Sequence, residues 1–228
     1  MTFSGIQKFT LLDYPSKIAA TLFSPGCNFR CPFCHNGEIV TEKVDSGTIS
    51  EDEVLAFLKK RRGLLEGVCI TGGEPTLQDG LSDFIIKVKE LGFLVKLDTN
   101  GNHPEILKAL LDENLLSYVA MDVKNSLKSY AQTVGIPGFD TSKIEESVEI
   151  LKASSIDYEF RTTLVKELHS TSDLVSMASW LLPSQLWRLQ EFRDSDTCIK
   201  HGLHPFNKND IKLILKPFIG ENSVKIYE

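Results

Sequence analysis

Short apolar runs alternate with stretches whose apolar residues recur at helical spacing, and this alternation restricts the fold more than any other feature of the chain. The runs Ile18 to Ser24, Gly67 to Thr71, Phe93 to Leu97, Tyr118 to Met121, Tyr158 to Val165 and Leu186 to Phe192 read as strands. Between them, Ser50 and Glu53 form a capping box ahead of Val54, Leu55 and Leu58, with Gly63 as a stop. Further helices are predicted over Leu81 to Leu91, His103 to Leu111 with Pro104 in the first turn, Ile144 to Leu151, Ser172 to Leu181 and Asn209 to Leu215. Val224 to Tyr227 reads as a short last strand. The spacing leaves room for crossover helices, which predicts a parallel sheet. A closed eight-unit barrel typically needs about 250 residues and more strands. The expectation is therefore an α/β fold, an open partial (β/α)6 TIM-like barrel in one domain over 1–228; the pattern alone also admits a doubly wound sheet. With 42% hydrophobic residues the chain has enough apolar material for such a core.

Into the loop after the first strand the chain puts Cys27, Cys31 and Cys34. Three thiols are an odd number for disulfides and one short of a closed structural zinc site. They suit a [4Fe-4S] cube that leaves one iron open; a structural zinc knuckle or a small ferredoxin-like cluster is the alternative. The other two of the five cysteines stand alone. Cys69 reads as a small core residue in an apolar run, and Cys198 as a loop thiol rather than a fourth ligand.

Ligand sites in parallel α/β folds lie at the carboxyl ends of the strands, and polar residues gather there. The second strand ends in Thr71-Gly72-Gly73-Glu74-Pro75: two glycines for close backbone approach or positive φ, and a carboxylate able to accept from an ammonium group. The third ends in Asp98-Thr99-Asn100-Gly101, with hydroxyl acceptance or an Asx-turn as readings of Asp98. The fourth ends in Asp122-Val123-Lys124, whose charged side chains point the same way on an extended chain, as site groups or as a surface ion pair. Arg161 breaks an apolar strand and demands a partner.

At these residues the sequence resembles the radical S-adenosylmethionine (SAM) superfamily. Phe33 is the aromatic of its C-x3-C-x-aromatic-C signature, and Gly72-Gly73-Glu74 looks like its SAM-binding GGE motif. The resemblance implies a [4Fe-4S] cluster on Cys27, Cys31 and Cys34. Its open iron would chelate the amino and carboxylate groups of SAM, which one electron then splits into methionine and a 5′-deoxyadenosyl radical. It implies SAM contacts from Phe33, Gly72, Gly73, Glu74, Asp98, Asn100, Asp122, Lys124 and Arg161, with Lys124 and Arg161 as candidates for the SAM carboxylate. A monovalent cation shared by Asp98 and Asp122 is also expected.

The segment from Gly5 to Asn36, with the DTNG and DVK strings, is similar to activating enzymes of glycyl radical enzymes, above all the activases of anaerobic ribonucleoside-triphosphate reductase. The sharp motifs run to about Lys124. The implied partners are that reductase or another glycyl radical enzyme, with reduced flavodoxin or ferredoxin as electron donor. Asp13 matches an aspartate that contacts the substrate peptide in such activases, or is a turn residue ahead of Pro15. The implied reaction needs no acid–base pair, so His35 is expected to pack beside the cluster.

Two other functions remain open: a radical SAM enzyme with a small-molecule substrate, as in deazapurine or cofactor biosynthesis, and a non-catalytic iron–sulfur or zinc protein. The net charge of −6 gives no basic footprint for nucleic acid. The absence of a long apolar run or a signal-peptide pattern gives the expectation of a cytoplasmic protein that binds no membrane.

Overall fold

The first apolar run pairs with an edge strand that its composition does not announce. A computed structural model describes residues 1–41, 47–218 and 224–226. In chain order the elements are strands β1 (Thr2–Phe3), β2 (Gly5–Thr10) and β3 (Ala19–Ser24), helix α1 (Gly37–Thr41), β4 (Ile49–Ser50), α2 (Glu51–Lys59), β5 (Gly67–Gly72), α3 (Leu81–Glu90), β6 (Leu94–Thr99), α4 (Pro104–Asp112), β7 (Tyr118–Asp122), α5 (Tyr130–Val134), α6 (Ser142–Ala153), β8 (Asp157–Leu164), α7 (Thr171–Leu181), β9 (Trp187–Glu191), α8 (Lys208–Leu215) and β10 (Val224–Ile226). Tyr227, the expected end of the last strand, lies outside the described residues.

The main sheet has the order β10-β9-β8-β7-β6-β5-β3-β2. Every pairing is parallel except β2 against β3. This is the open partial barrel that the alternation predicts, with β2 added at one edge. Gln7, Lys8 and Phe9 of β2 are all exposed in succession, so the strand has no alternating apolar pattern.

Side chains alternate across each strand, and here the two faces differ in kind. Val68, Ile70, Val95, Leu97, Val119, Met121 and Phe160 are fully buried in one apolar core with Phe84, Ile85 and Val88 of α3, Leu107 and Leu110 of α4, and Leu174 and Met177 of α7. The intervening positions carry Thr21, Cys69, Lys96, Asp98, Asp122, Glu159 and Arg161. The inside of the barrel is thus lined with charge, and the apolar core lies between sheet and helices. The capping box of α2 forms as expected, Glu53 N–H donating to Ser50 Oγ at 3.3 Å and Ser50 N–H to Glu53 Oε2 at 2.9 Å. Ser170 and Asp173 build a second one on α7.

Candidate active site

The cysteine loop and the end of β5 are pressed together backbone to backbone. Gly73 N–H donates to Ser24 O at 2.9 Å and Glu74 N–H to Gly26 O at 2.8 Å. A Cβ on Gly73 would stand 1.7 Å from Gly26 O, and Gly72 takes φ +111°. The two glycines therefore serve the approach of one strand end to the loop. Asn36, just past the cysteines, donates from Nδ2 to Gly72 O at 2.7 Å and ties down the loop's other end.

A cavity of about 250 Å³ opens above these strand ends, and Cys27, Cys31, Cys34 and Phe33 are on its wall. Burial pushes the Cys31 thiol up to about 12 and raises Cys27 and Cys34 as well; the positive charge of Lys124 acts in the opposite direction on all three. Phe29 N–H donates to Cys27 Sγ at 3.4 Å. Among the described residues no three His, Cys, Asp or Glu side chains gather as ligands of one metal ion. Three soft sulfur donors around one cavity, not converged on a point, fit a multi-iron cube whose thiolates bind separate irons.

Glu74 is 1% exposed. It accepts from Thr76 N at 3.1 Å, Thr76 Oγ1 at 2.6 Å, Thr99 Oγ1 at 2.7 Å and Asn100 N at 2.7 Å. Three of these bonds fall on Oε1, so Oε2 keeps acceptor capacity. Burial raises its pKa despite these bonds. Asn100 donates from Nδ2 to Asn28 Oδ1 at 2.7 Å, joining β6 to the cysteine loop.

Beneath the cavity runs a chain of alternating charges. Lys96 Nζ donates to Asp98 Oδ1. Arg161 donates from Nη1 to Asp98 Oδ2 and from Nε to Asp122 Oδ1, both at 2.9 Å. Lys124 Nζ donates to Asp122 Oδ2 at 3.0 Å. Burial opposes ionisation of Asp98 and Asp122, but the Arg161 guanidinium and the neighbouring Lys96 or Lys124 together outweigh it and both pKa values fall, that of Asp122 to about 2. Asp122–Lys124 is thus a half-buried pair on the cavity wall within this network, rather than an isolated surface pair. Cys69 also belongs to the network, its thiol 3.7 Å from Asp98 Oδ1 and 3.8 Å from Lys96 Nζ. It is fully buried, the small core residue expected of it, on the polar inner face of the barrel.

All the expected cofactor residues reach this one cavity wall: Phe33, Gly72, Gly73, Glu74, Asp98, Asn100, Asp122, Lys124 and Arg161. Asp13 does not. Its Oδ2 accepts from Thr21 Oγ1 at 2.5 Å on the inner face of β3, away from the lining residues. Sequence reasoning missed Thr163 and Gln190, which complete the wall. It also missed His169, whose Nε2–H donates to Lys124 O at 2.9 Å and steadies the lysine's backbone.

A strap after β9 lies over the cysteine loop. Lys200 N–H donates to Pro32 O at 2.8 Å, Gly37 N–H to Thr197 O at 3.2 Å, and His35 Nε2–H to Arg193 O at 2.7 Å. The His35 ring also packs on Phe192, at 5.7 Å between centroids. Cys198 sits in the strap with its thiol 3.5 Å from Ser195 Oγ, off the cavity wall, as a loop thiol.

A family model described as the radical SAM superfamily matches residues 21–175. A Methanocaldococcus jannaschii protein named as a glycyl-radical enzyme activating enzyme is 35% identical over 198 residues, 85% of this chain and 80% of its own length. The 7-carboxy-7-deazaguanine synthase of Methanopyrus kandleri is 33% identical over 118 residues, 43% of this chain and 46% of its own. In fold the chain is similar to Streptococcus suis SuiB bound to its precursor peptide SuiA, with a TM-score of 0.66, 14% identity, and 91% of this chain and 48% of that one covered. No helix among the described residues is long and apolar enough to cross a membrane.

Proposed function

The chain belongs to the radical SAM superfamily, whose members use a [4Fe-4S] cluster and SAM, and we propose that it is an activase that forms a glycyl radical on a partner enzyme. The observation that carries this reading is the single cavity in which the cysteine triplet meets Glu74, Asp122, Lys124 and Arg161. The match to the Methanocaldococcus relative over most of both chains supports the activase branch. The N-terminal segment from Gly5 to Asn36 favours anaerobic ribonucleoside-triphosphate reductase as the partner, with reduced flavodoxin or ferredoxin as electron donor.

In this reading Cys27, Cys31 and Cys34 hold the cluster. Bound there, the cluster supplies the electron that splits SAM into methionine and a 5′-deoxyadenosyl radical, which takes a hydrogen atom from a glycine of the partner. The chain's own residues position the cofactor. The free acceptor site on Glu74 Oε2 takes the SAM ammonium. Lys124 and Arg161 present positive charge to its carboxylate. Phe29 and Phe33 give the wall an apolar face that keeps water from the reacting atoms. Asn100 and Asp98 line the ribose side. Asp13, half-buried beside Thr21 of β3 and off the cavity wall, is assigned to the partner's peptide.

The test is anaerobic. The chain is loaded with iron and sulfide, reduced and given SAM; 5′-deoxyadenosine and methionine are the expected products. Addition of anaerobic ribonucleotide reductase should give the doublet EPR signal of a glycyl radical. Cleavage without that radical, but stimulated by a small molecule, would move the chain to the small-molecule branch that the Methanopyrus relative represents. A loaded, reduced protein that does not cleave SAM would overturn the reading.

A further inference from the structure

Asp98 and Asp122 stand at the ends of neighbouring parallel strands, and a buried and a half-buried carboxylate so placed need a cation between them. The structure already supplies one. Arg161 lies on β8, beside Asp122 in register, and reaches across it to Asp98 on β6. That span covers two strand spacings, roughly 4.8 Å each. The guanidinium uses different nitrogens for the two bonds, Nε for Asp122 and Nη1 for Asp98, a division that a lysine ammonium at this distance does not provide.

The remaining carboxylate oxygens are also engaged, Asp98 Oδ1 by Lys96 and Asp122 Oδ2 by Lys124. Along Lys96, Asp98, Arg161, Asp122 and Lys124 three cations therefore alternate with two anions. A metal ion placed between the two aspartates would add a fourth cation to a set that already carries an excess of positive charge. It would also have to displace Arg161 from both partners. Of the three cations, Lys124 and Arg161 are on the cavity wall. With Lys96 buried behind them, this five-residue chain is complete in cations and carries one positive charge more than its two aspartates balance.

We propose that Arg161 stands in the place of a bound monovalent cation, so that this chain receives the α-carboxylate of its cofactor without any metal ion at Asp98 and Asp122. Arg161 is in this sense a positioning residue that holds the two aspartates at fixed separation and leaves the five-residue chain with one positive charge in excess. The inference rests on the functional reading for the identity of the anion, which is the SAM carboxylate. It departs from the expectation of a monovalent cation at the same two residues.

The test uses the full chain loaded with its cluster, which is kept oxidised so that SAM binds and is not cleaved. SAM affinity and melting temperature are measured in KCl, NaCl and choline chloride at equal ionic strength. The wild-type chain should show the same affinity in all three, within about twofold, and the same melting temperature. Arg161→Ser, which opens the gap, should bind SAM at least about tenfold more weakly in choline chloride and recover most of that loss in NaCl or KCl, with a matching rise in melting temperature.

A wild-type affinity that falls by about tenfold in choline chloride would overturn the proposal, because a metal ion would then be needed beside Arg161. A folded Arg161→Ser chain that is equally weak in every salt would overturn it too, since Arg161 would then act by touching the cofactor alone. If Arg161→Ser does not fold, Arg161→Lys carries the same comparison: its ammonium reaches Asp122 and leaves Asp98 open, so the salt dependence should again appear. Failure of the wild-type chain to bind SAM in any salt would overturn the functional reading instead, and the melting temperatures would still decide the role of Arg161.

Discussion

The backbone N–H of Asn100 donates to the buried carboxylate of Glu74 at 2.7 Å. This bond stands where the β5–β6 ladder has already stopped, since its last register pair is Ile70 and Leu97. Beyond that pair a side chain does the work of the ladder, and Thr99 Oγ1 adds a second link at 2.7 Å. The two strand ends that flank the cavity are held by one carboxylate.

Glu74→Gln tests that arrangement. A carboxamide puts an N–H₂ where one oxygen now accepts, so at least one of the four present donors is left facing another donor. The expected loss is about 1–3 kcal/mol of stability. Thermal unfolding should show it, and SAM affinity should drop in the same variant. Unchanged stability would mean that the four bonds are not made in solution.

Gly37→Ala tests the strap. A Cβ there would stand 2.6 Å from Thr197 O, a backbone atom that cannot turn aside. Overpacking of this kind typically costs about 1–3 kcal/mol. Because the strap lies on the cysteine loop, the iron bound per chain after reconstitution should fall, while the circular dichroism of sheet and helices is kept. Full iron retention would show that the loop holds its shape unaided.

The cysteines should divide cleanly. Cys27→Ser, Cys31→Ser and Cys34→Ser should each lose the brown iron–sulfur absorption. Cys198→Ser should keep it at the wild-type level, since that thiol is off the cavity wall. Loss of the absorption in Cys198→Ser would make it a ligand.

Acid should weaken the fold through the charge chain. Asp122 has its folded-state pKa lowered from 3.8 to about 2. Its contribution to stability is therefore complete above the ordinary value and lost as pH falls through about 2. Asp98 is lowered too and acts in the same direction. For Asp122 the contribution is about 2 kcal/mol. Denaturant melts of the cluster-free chain between pH 5 and pH 2 should show a slope that Asp122→Asn makes shallower.

Most of the architecture was legible because buried parallel strands leave apolar runs and their crossover helices leave a 3.6-residue stripe. Leu81, Phe84, Ile85 and Val88 mark α3 within a residue of its ends. The edge strand β2 was not legible, because exposed Gln7, Lys8 and Phe9 make no pattern. The cavity residues announced themselves by type: thiols, paired glycines and charges at strand ends. What they bind inside the protein did not. Nothing in the string FRTTL says that Arg161 reaches two strands away, and nothing in VKLDT says that Lys96 is buried beside Cys69. The strap left no signal at all, since two of its three links to the cysteine loop are bonds between backbone atoms, for which any residue serves.

The strap also sets an order of events during synthesis. The cysteine loop leaves the ribosome well before Thr197 and Lys200, which lie over it. At ordinary rates of about 5–20 residues per second, the loop waits roughly 10–30 s before the strap can fix it. During that interval it lacks the bonds to Arg193, Thr197 and Lys200. An iron–sulfur carrier that meets the growing chain therefore finds a looser loop, and one that meets the finished protein finds thiols already set on the cavity wall.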